Sequence, residues 1–298
     1  MPLFDAYVMV DWSAAAVPVT GRDSIWIGAF ARNRNGLDRT TLENPATRAD
    51  ATGRLCDLLA GFVERGRRVL AGFDFPFGYP AGTSDLLDIR GLKWRHLWSL
   101  LSDLLDDGAD NANNRFDVGA TLNRRMYGEP FPFWGHDRKH EGPYLKARDR
   151  RPHGPEDVAE RRLCELRMPR TQPTWKLAYT GAVCGQALTG IPRVWQIRCD
   201  PRLAMTTHIW PFETGLAADD RVSLVLAEVY PSLVAPRVFD GLPKDAGQVC
   251  ALAEHFAALD DENALAPLFA GDPALSDDEQ EAVVSEEAWI LGVTGAAA

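Results

Sequence analysis

The sequence is poor in cysteine, and no C-x-x-C pair occurs among its five dispersed cysteines: Cys56, Cys164, Cys184, Cys199 and Cys250. This scarcity argues against a disulfide framework or a zinc knuckle and predicts buried free thiols in a reducing compartment. No apolar run approaches the roughly 20 residues that span a bilayer. The start of the sequence, MPLFDAYVMVDW, also lacks a basic leader and a small-residue cleavage site. We therefore expect a cytoplasmic protein that does not insert into membranes.

Several catalytic motifs are missing as well. The sequence contains no G-x-x-x-x-G-K, no G-x-G-x-x-G after a strand and no G-x-S-x-G. Its six histidines show no H-E-x-x-H or other metal-ligand spacing. These absences argue against a P-loop nucleotidase and a dinucleotide-binding enzyme, and they leave a Ser-His-Asp triad without its usual nucleophile elbow.

Charge is unevenly distributed along the chain. The formal net charge is −10, but the segment 138–176 holds 11 Lys and Arg against 6 Asp and Glu. A basic segment on an acidic protein can be a patch that faces phosphates. It can equally be a solvated helical hairpin, and the sequence leaves both interpretations open.

The first third of the sequence predicts a mixed sheet. AYVMVDWS, SIWIGAFAR and GLDRTTLENP are typical of three strands, with a hairpin turn at N-R-N-G. RADATGRLCDLLAGFVERG has apolar residues at helical spacing, and RVLAGFDFPF follows it as a fourth, buried strand. Three strands in a meander, a helix and a further strand predict an α/β sheet with a right-handed crossover.

The middle of the chain, residues 84–206, is predicted to be a helical insertion within a single domain that spans residues 1–298. Its predicted helices include PEDVAERRLCELRM and WKLAYTGAVCGQALTGIP. The sheet pattern then resumes with HIWPFETG and SLVLAEVYPS, followed by the helix KDAGQVCALAEHFAAL and a final helix or turn in SDDEQEAVVSEEAWILG.

Four acidic residues fall at the ends of these elements: Asp11, Asp74, Glu228 and Asp245. Taken separately, Asp245 is an ordinary acid at a helix N-terminus, and Asp11 and Asp74 satisfy local turns. Taken together, carboxylates at the ends of apolar strands repel one another and need a counter-charge. A divalent cation with oxygen ligands supplies it, and Mg²⁺ or Mn²⁺ on such ligands suits phosphodiester hydrolysis.

In this layout the chain resembles the ribonuclease H-like superfamily and, more narrowly, the DUF429 family of predicted nucleases. The matching pieces are VDWSA, FDFPFGYP, the RRLCELR segment, AEVYPS, KDAGQVCALA and EEAWILG, which lie between residues 8 and about 291. The resemblance implies a ribonuclease H-like mixed sheet flanked by helices. It also implies Asp11, Asp74 and Asp245 as metal ligands, with Glu228 as a ligand or as the group that orients water.

The match departs from the family pattern at Gln248, one turn after Asp245, where a second acid is typical. Glu287 is a further carboxylate that can return to the site. Candidate substrate-binding residues are those able to approach or clamp a phosphate: Ser13, Arg161, Arg162, Arg167 and Lys244. For these arginines the alternative is salt bridging with neighbouring glutamates.

Three functions follow from the sequence. The first is a magnesium-dependent nuclease or related phosphoesterase acting on a nucleic acid or a small phosphorylated substrate. The second is a small-molecule phosphotransferase of the same superfold, which needs a nucleotide cradle that the sequence does not show. The third is a non-catalytic binding or scaffold protein, which Gln248 favours, so the sequence leaves open whether the protein is an enzyme.

Overall fold

Three N-terminal strands form an antiparallel meander in the computed structural model, which describes residues 1–136, 140–148 and 150–295. The strands are β1 (Ala6–Asp11), β2 (Trp26–Asn33) and β3 (Gly36–Glu43). Their register pairs Asp11 with Trp26, so the carboxyl end of β1 lies beside the start of β2. The predicted meander is confirmed.

A helix then crosses over to a parallel strand. Helix α1 (Arg48–Glu64) begins at Thr47, whose hydroxyl accepts the N–H of Asp50 at 3.2 Å. It ends before Gly66, which has a φ of 71°. Strand β4 (Val69–Phe73) pairs in parallel with β1.

Two later strands complete the sheet on the other side of β4. Strand β6 (Leu224–Glu228) pairs in parallel with β4, and the short edge strand β5 (Thr207–Ile209) pairs in parallel with β6. The strand order is β3-β2-β1-β4-β6-β5. The chain is therefore an α/β protein with a six-stranded mixed sheet flanked by helices, as predicted.

Helices cover both faces of this sheet. Alternate residues of β1 and β4, such as Val10 and Phe73, pack with α1 and with two further helices, α3 (Lys93–Leu104) and α6 (Cys184–Arg198). The intervening residues, such as Met9 and Leu70, pack with α7 (Lys244–Asp261). We refer to these as the α1 face and the α7 face.

The predicted insertion contains five helices within the described residues, and much of it is irregular. Besides α3 and α6, they are α2 (Thr83–Leu86), α4 (Arg115–Met126) and α5 (Leu163–Arg167). Helices α3 and α4 bury apolar residues at helical spacing, such as Trp94, Leu97 and Leu101 of α3 and Val118 and Leu122 of α4. Arg138 and Lys139 of the basic segment lie outside the described residues.

Two predicted helices of the insertion start later than expected, and the first of them is also much shorter. The helix expected over PEDVAERRLCELRM forms only in α5, because the N–H of Val158 is taken by the Tyr127 hydroxyl at 2.9 Å. The helix expected over WKLAYTGAVCGQALTGIP starts only at α6, because Leu177 donates to the Trp134 carbonyl at 2.8 Å. Non-local hydrogen bonds thus override the helical pattern at both places.

The C-terminal segment ends in a short helix and a turn. Helix α8 (Asp277–Ala282) starts with a capping box between Ser276 and Glu279, and a π-helical turn follows over Val283–Glu287. Within the ranges that the structure covers, no helix has both the length and the apolar character needed to cross a membrane.

Candidate active site

Asp11 and Asp74 lie side by side at the carboxyl ends of β1 and β4. The parallel register pairs Val10 with Phe73, so the next residue of each chain segment points to the same side, which is the α7 face. The two carboxyl groups are close enough for each to affect the pKa of the other. Asp74 is fixed further, because its Oδ1 accepts the Trp12 N–H at 2.7 Å.

Ionisation of both carboxylates of this pair is electrostatically unfavourable. Burial and the charge of Asp74 raise the pKa of Asp11 well above its ordinary range. Burial likewise raises the pKa of Asp74 to about 7, opposed by the hydrogen bonds from Trp12 and Asp11. The pair therefore holds a proton between its carboxylates over much of the acidic range.

Asp245 approaches this pair from the first turn of α7. Two glycines allow α7 to lie close to its neighbours: a Cβ on Gly28 would sit 2.9 Å from Val249, and one on Gly247 would sit 1.8 Å from the Arg237 carbonyl oxygen. The Oδ2 of Asp245 accepts the Asp23 N–H at 2.8 Å. The charge of Asp245 adds to the rise in the pKa of Asp11.

These residues line an open pocket of about 610 Å³. Its carboxylate side comprises Asp11, Asp23, Asp74 and Asp245. The lining also includes Arg115 at the start of α4 and Gln186 in the first turn of α6. The pocket therefore combines a carboxylate cluster with a cationic side chain and a helix N-terminus.

Asp23, Arg115 and Gln186 are pocket residues that the sequence interpretation missed. Asp23 had a usable signal, since it stands just before the strand that pairs with β1 and thus at the same sheet edge as Asp11. Arg115 had none, because its helix belongs to the insertion and reaches the pocket only through tertiary packing. Gln186 holds the Trp12 carbonyl at 2.6 Å and so supports the β1 end.

Ser13 and Gln248, both singled out from the sequence, also line the pocket. The Ser13 hydroxyl donates to the Asp23 carbonyl at 3.1 Å and accepts the Ala15 N–H at 3.3 Å. This shows Ser13 bracing the turn after β1. Gln248 lies one turn along α7 from Asp245, as the helical spacing requires.

Glu228 does not join the carboxylate pocket. Its register partner in β4 is Phe73, so it points to the α1 face, opposite to Asp74. There it forms a buried two-pronged ion pair with Arg162, at 2.6 and 2.8 Å, and accepts the Phe77 N–H at 2.9 Å. Glu228 and Asp74 nevertheless both line a smaller neighbouring cavity of about 40 Å³, together with Arg162. Glu228 therefore lies near Asp74, as expected, but its carboxylate is held by Arg162 and does not line the pocket that contains Asp11.

Arg162 belongs to the same buried network and not to the pocket. Its Nε contacts Glu165 at 2.8 Å, and its Nη1 donates to the Glu287 carbonyl at 2.9 Å. The Glu287 carboxylate accepts the N–H groups of Ala81 and Leu163, and burial raises its pKa. These residues tie the strand ends to the C-terminal turn.

The other basic candidates also lie elsewhere. Arg161 donates to the Thr171 carbonyl at 3.0 Å, and Arg167 contacts Asp272 at 3.0 Å. Lys244 is exposed at the start of α7 and is not among the residues that line the pocket. The expected clamp of Arg161 and Arg167 across from the carboxylates is therefore not formed.

The donor set suits a hard cation, although it is not gathered around one point. In the described ranges, no three His, Cys, Asp or Glu side chains lie close enough together to hold one ion. Asp245 is turned toward the Asp23 N–H, which leaves Asp11 and Asp74 as the adjacent pair. One or two carboxylates completed by water and substrate phosphate are the usual protein ligands of Mg²⁺, so this pair fits that ion.

Comparisons with protein-family models, with curated proteins and with solved structures find no match for this chain.

Proposed function

We propose that this protein is a magnesium-dependent phosphodiester hydrolase, a nuclease, built on a ribonuclease H-like fold. The observation that carries the proposal is the meeting of Asp11, Asp74 and Asp245 in one pocket. They come from a strand, the end of a second strand and a helix far apart in the sequence. Three buried or half-buried acids repel one another when they are ionised, and a bound cation would relieve that repulsion.

The sheet supports the fold part of this proposal. An antiparallel meander, a helical crossover and a parallel strand beside β1 are the arrangement that the resemblance to ribonuclease H-like proteins implies. The motifs VDWSA and FDFPFGYP supply Asp11 and Asp74 at adjacent strand ends. The extra edge strand β5 lies beyond β6 and leaves these strand ends unobstructed.

The residues have distinct roles in the proposed reaction. Asp11 and Asp74 hold the cation, and Asp245 would contact it from the side of α7 through a coordinated water molecule. When bound, Mg²⁺ neutralises charge on the phosphate and makes a coordinated water more acidic. Deprotonation of the Asp11–Asp74 pair must precede binding, because metal ligands are the ionised carboxylates.

Arg115 supplies the positive charge that a phosphate needs in this pocket. Its guanidinium lies over the Phe116 ring at 4.4 Å and donates to the Asn113 side chain at 2.9 Å, which limits its freedom. A planar guanidinium binds phosphate oxygens in pairs. The first turn of α6 also lines the pocket, and the backbone N–H groups at a helix N-terminus carry partial positive charge.

The proposal is tested by thermal and urea unfolding with and without Mg²⁺ or Mn²⁺. Binding to the native state stabilises it by RT ln(1 + [L]/Kd), or about 2.7 kcal/mol at 100 times Kd. We expect this stabilisation in the natural protein and its loss in Asp11→Asn. The matched control is Asp103→Asn, which removes an exposed carboxylate from α3 and should keep the full response.

Activity is measured in parallel on labelled single-stranded and duplex oligonucleotides and on bis-p-nitrophenyl phosphate. Metal-dependent cleavage that disappears in Asp11→Asn and persists in Asp103→Asn supports hydrolysis. A protein that shows no metal stabilisation and no cleavage would instead be a non-catalytic binding protein, and the proposal would fail.

A further inference from the structure

An exposed aromatic residue, Tyr179, stands on the wall of the carboxylate pocket. Its side chain keeps 47% of its surface accessible. The backbone at Tyr179 has a φ of 74°, an uncommon conformation for a bulky residue, and its hydroxyl donates to the His136 carbonyl. The guanidinium of Arg148 lies 5.9 Å from the ring centre. The ring is thus held outward, with a cation beside it.

A second aromatic residue, Trp134, lies next along the same surface. Its indole is half-buried and is flanked by Arg150 at 5.7 Å and Lys176 at 5.6 Å from the ring centre. Trp134 and Arg150 line an open cleft of about 500 Å³. The cleft therefore offers a flat ring bordered by positive charge.

The backbone joins these two aromatic residues into one surface. The Trp134 N–H donates to the Trp175 carbonyl at 3.1 Å, and the Trp134 carbonyl accepts the Leu177 N–H at 2.8 Å. Two residues further on, Ala178 and Tyr179 line the carboxylate pocket. We call this surface the aromatic–cationic band, which consists of Trp134, Arg148, Arg150, Lys176 and Tyr179.

We propose that the aromatic–cationic band binds single-stranded nucleic acid and leads it to the carboxylate pocket. Stacking on an aromatic ring requires an exposed base face, which a duplex hides, while nearby cations bind the phosphates of any sequence. The band has both components, and it begins at the wall of the proposed catalytic pocket. This inference deepens the proposed function, since the cleavage that follows binding rests on it, whereas the binding itself does not.

The charge on the band separates it from the acidic remainder of the protein. The band has three cations. Arg150 is paired with Glu160, and Lys176 donates a hydrogen bond to the Thr180 carbonyl. Arg148 is exposed and lies beside the Tyr179 ring. The protein as a whole carries a net charge of −10. Long duplexes are repelled by that charge, and a flexible strand can follow a narrow basic path.

The test measures binding by fluorescence anisotropy, in EDTA so that cleavage cannot occur. The probes are a fluorescein-labelled single-stranded oligonucleotide of about 12 nucleotides, a hairpin duplex of the same sequence and an acidic peptide of equal charge. We expect the single strand to bind at least tenfold more tightly than the other two. Its affinity should fall about tenfold in Tyr179→Ala and in Trp134→Ala, and little in Tyr179→Phe.

The matched control is Phe239→Ala. The Phe239 ring also lies under two guanidinium groups, those of Arg39 at 5.2 Å and Arg237 at 5.5 Å, but it lines a separate cleft beside β3. This variant should bind as the natural protein does. Arg148→Gln should lower the slope of log affinity against log salt by about one, as expected for one lost phosphate contact.

Equal binding of the duplex or the acidic peptide would overturn the inference, as would normal binding by Tyr179→Ala and Trp134→Ala. Its failure is distinguishable from failure of the proposed function. Binding of the single strand without any response to Mg²⁺ would keep the band and reject the hydrolase. Loss of Mg²⁺ stabilisation in Asp11→Asn without single-strand binding would keep the metal site and reject the band.

Discussion

Asp11 and Asp74 lie side by side at the carboxyl ends of the parallel β1–β4 pair, and each affects the pKa of the other. Burial raises the pKa of Asp74 to about 7, so at neutral pH the bare pair is close to its titration range. A bound cation is favoured at this position because it relieves the repulsion between the two carboxylates. The first two predictions follow from this relationship.

Asp74→Asn should leave the metal-free protein as stable as before or slightly more stable. The amide oxygen can still accept the Trp12 N–H, and the amide nitrogen can donate to Asp11, while the repelling charge is gone. Asp74→Ala should instead destabilise it by about 1–3 kcal/mol, because the Trp12 N–H loses its acceptor. Urea unfolding of both variants measures the difference. A strongly destabilised Asp74→Asn would assign Asp74 to the turn and not to a ligand role.

The metal-free protein should lose part of its stability as pH rises from about 5 to about 8. The pKa of Asp11 and Asp74 is higher in the folded chain than in the unfolded one, so the folded state binds more protons between the two values. Stability falls with pH wherever the native state binds more protons. Stabilisation by Mg²⁺ should grow over the same range, since the ion binds ionised carboxylates.

This pH dependence is read as the difference in unfolding free energy between the natural protein and Asp11→Asn/Asp74→Asn. The subtraction is needed because burial lowers the pKa of His153 and of His255, and these histidines contribute with the opposite sign over the same pH range. A difference that stays constant from about pH 5 to about pH 8 would contradict the assignment of a shared proton.

Arg162→Met should lower the free energy of unfolding by about 3–5 kcal/mol, because it leaves Glu228 and Glu165 buried without their cation. The neighbouring variant Arg161→Met is the control, since it removes only a hydrogen bond to a carbonyl and should cost about 1 kcal/mol. Both should keep the Mg²⁺ response. An Arg162→Met protein of normal stability that fails to bind oligonucleotide would restore the substrate-binding role suggested by the sequence.

The elements close to the pocket were predictable because their signals are local. The apolar run ending in Asp11, the run before Asp74 and the spacing in α7 each indicate one strand or helix and place an acid at its end. Parallel pairing then brings the carboxyl ends of strands to one edge. The order of these elements along the chain is therefore enough to predict that Asp11, Asp74 and Asp245 lie close together.

Glu228 shows where this kind of reasoning stops. Its strand is buried on both faces, so no alternation of polar residues reveals which side chains point toward α7. The register that pairs it with Phe73 is set by tertiary packing, and a slip of one residue would have turned its side chain to the α7 face. The irregular path of the described residues in 127–136, 140–148 and 150–162 is beyond prediction for the same reason, since non-local hydrogen bonds help to define it.

Gly247→Ala should destabilise the protein and weaken its Mg²⁺ response without altering any carboxylate. The added Cβ would lie 1.8 Å from the Arg237 carbonyl oxygen, so the start of α7 must shift and carry Asp245 with it. Gly53→Ala is the matched control. Gly53 is exposed in α1, and a Cβ added there would have no other atom within 4 Å. The same substitution should therefore stabilise the protein by about 0.5–1 kcal/mol. Urea unfolding with and without Mg²⁺ measures both effects. If Gly247→Ala is destabilised and its Mg²⁺ response is intact, the position of Asp245 is not required for binding the ion, and the site reduces to Asp11 and Asp74.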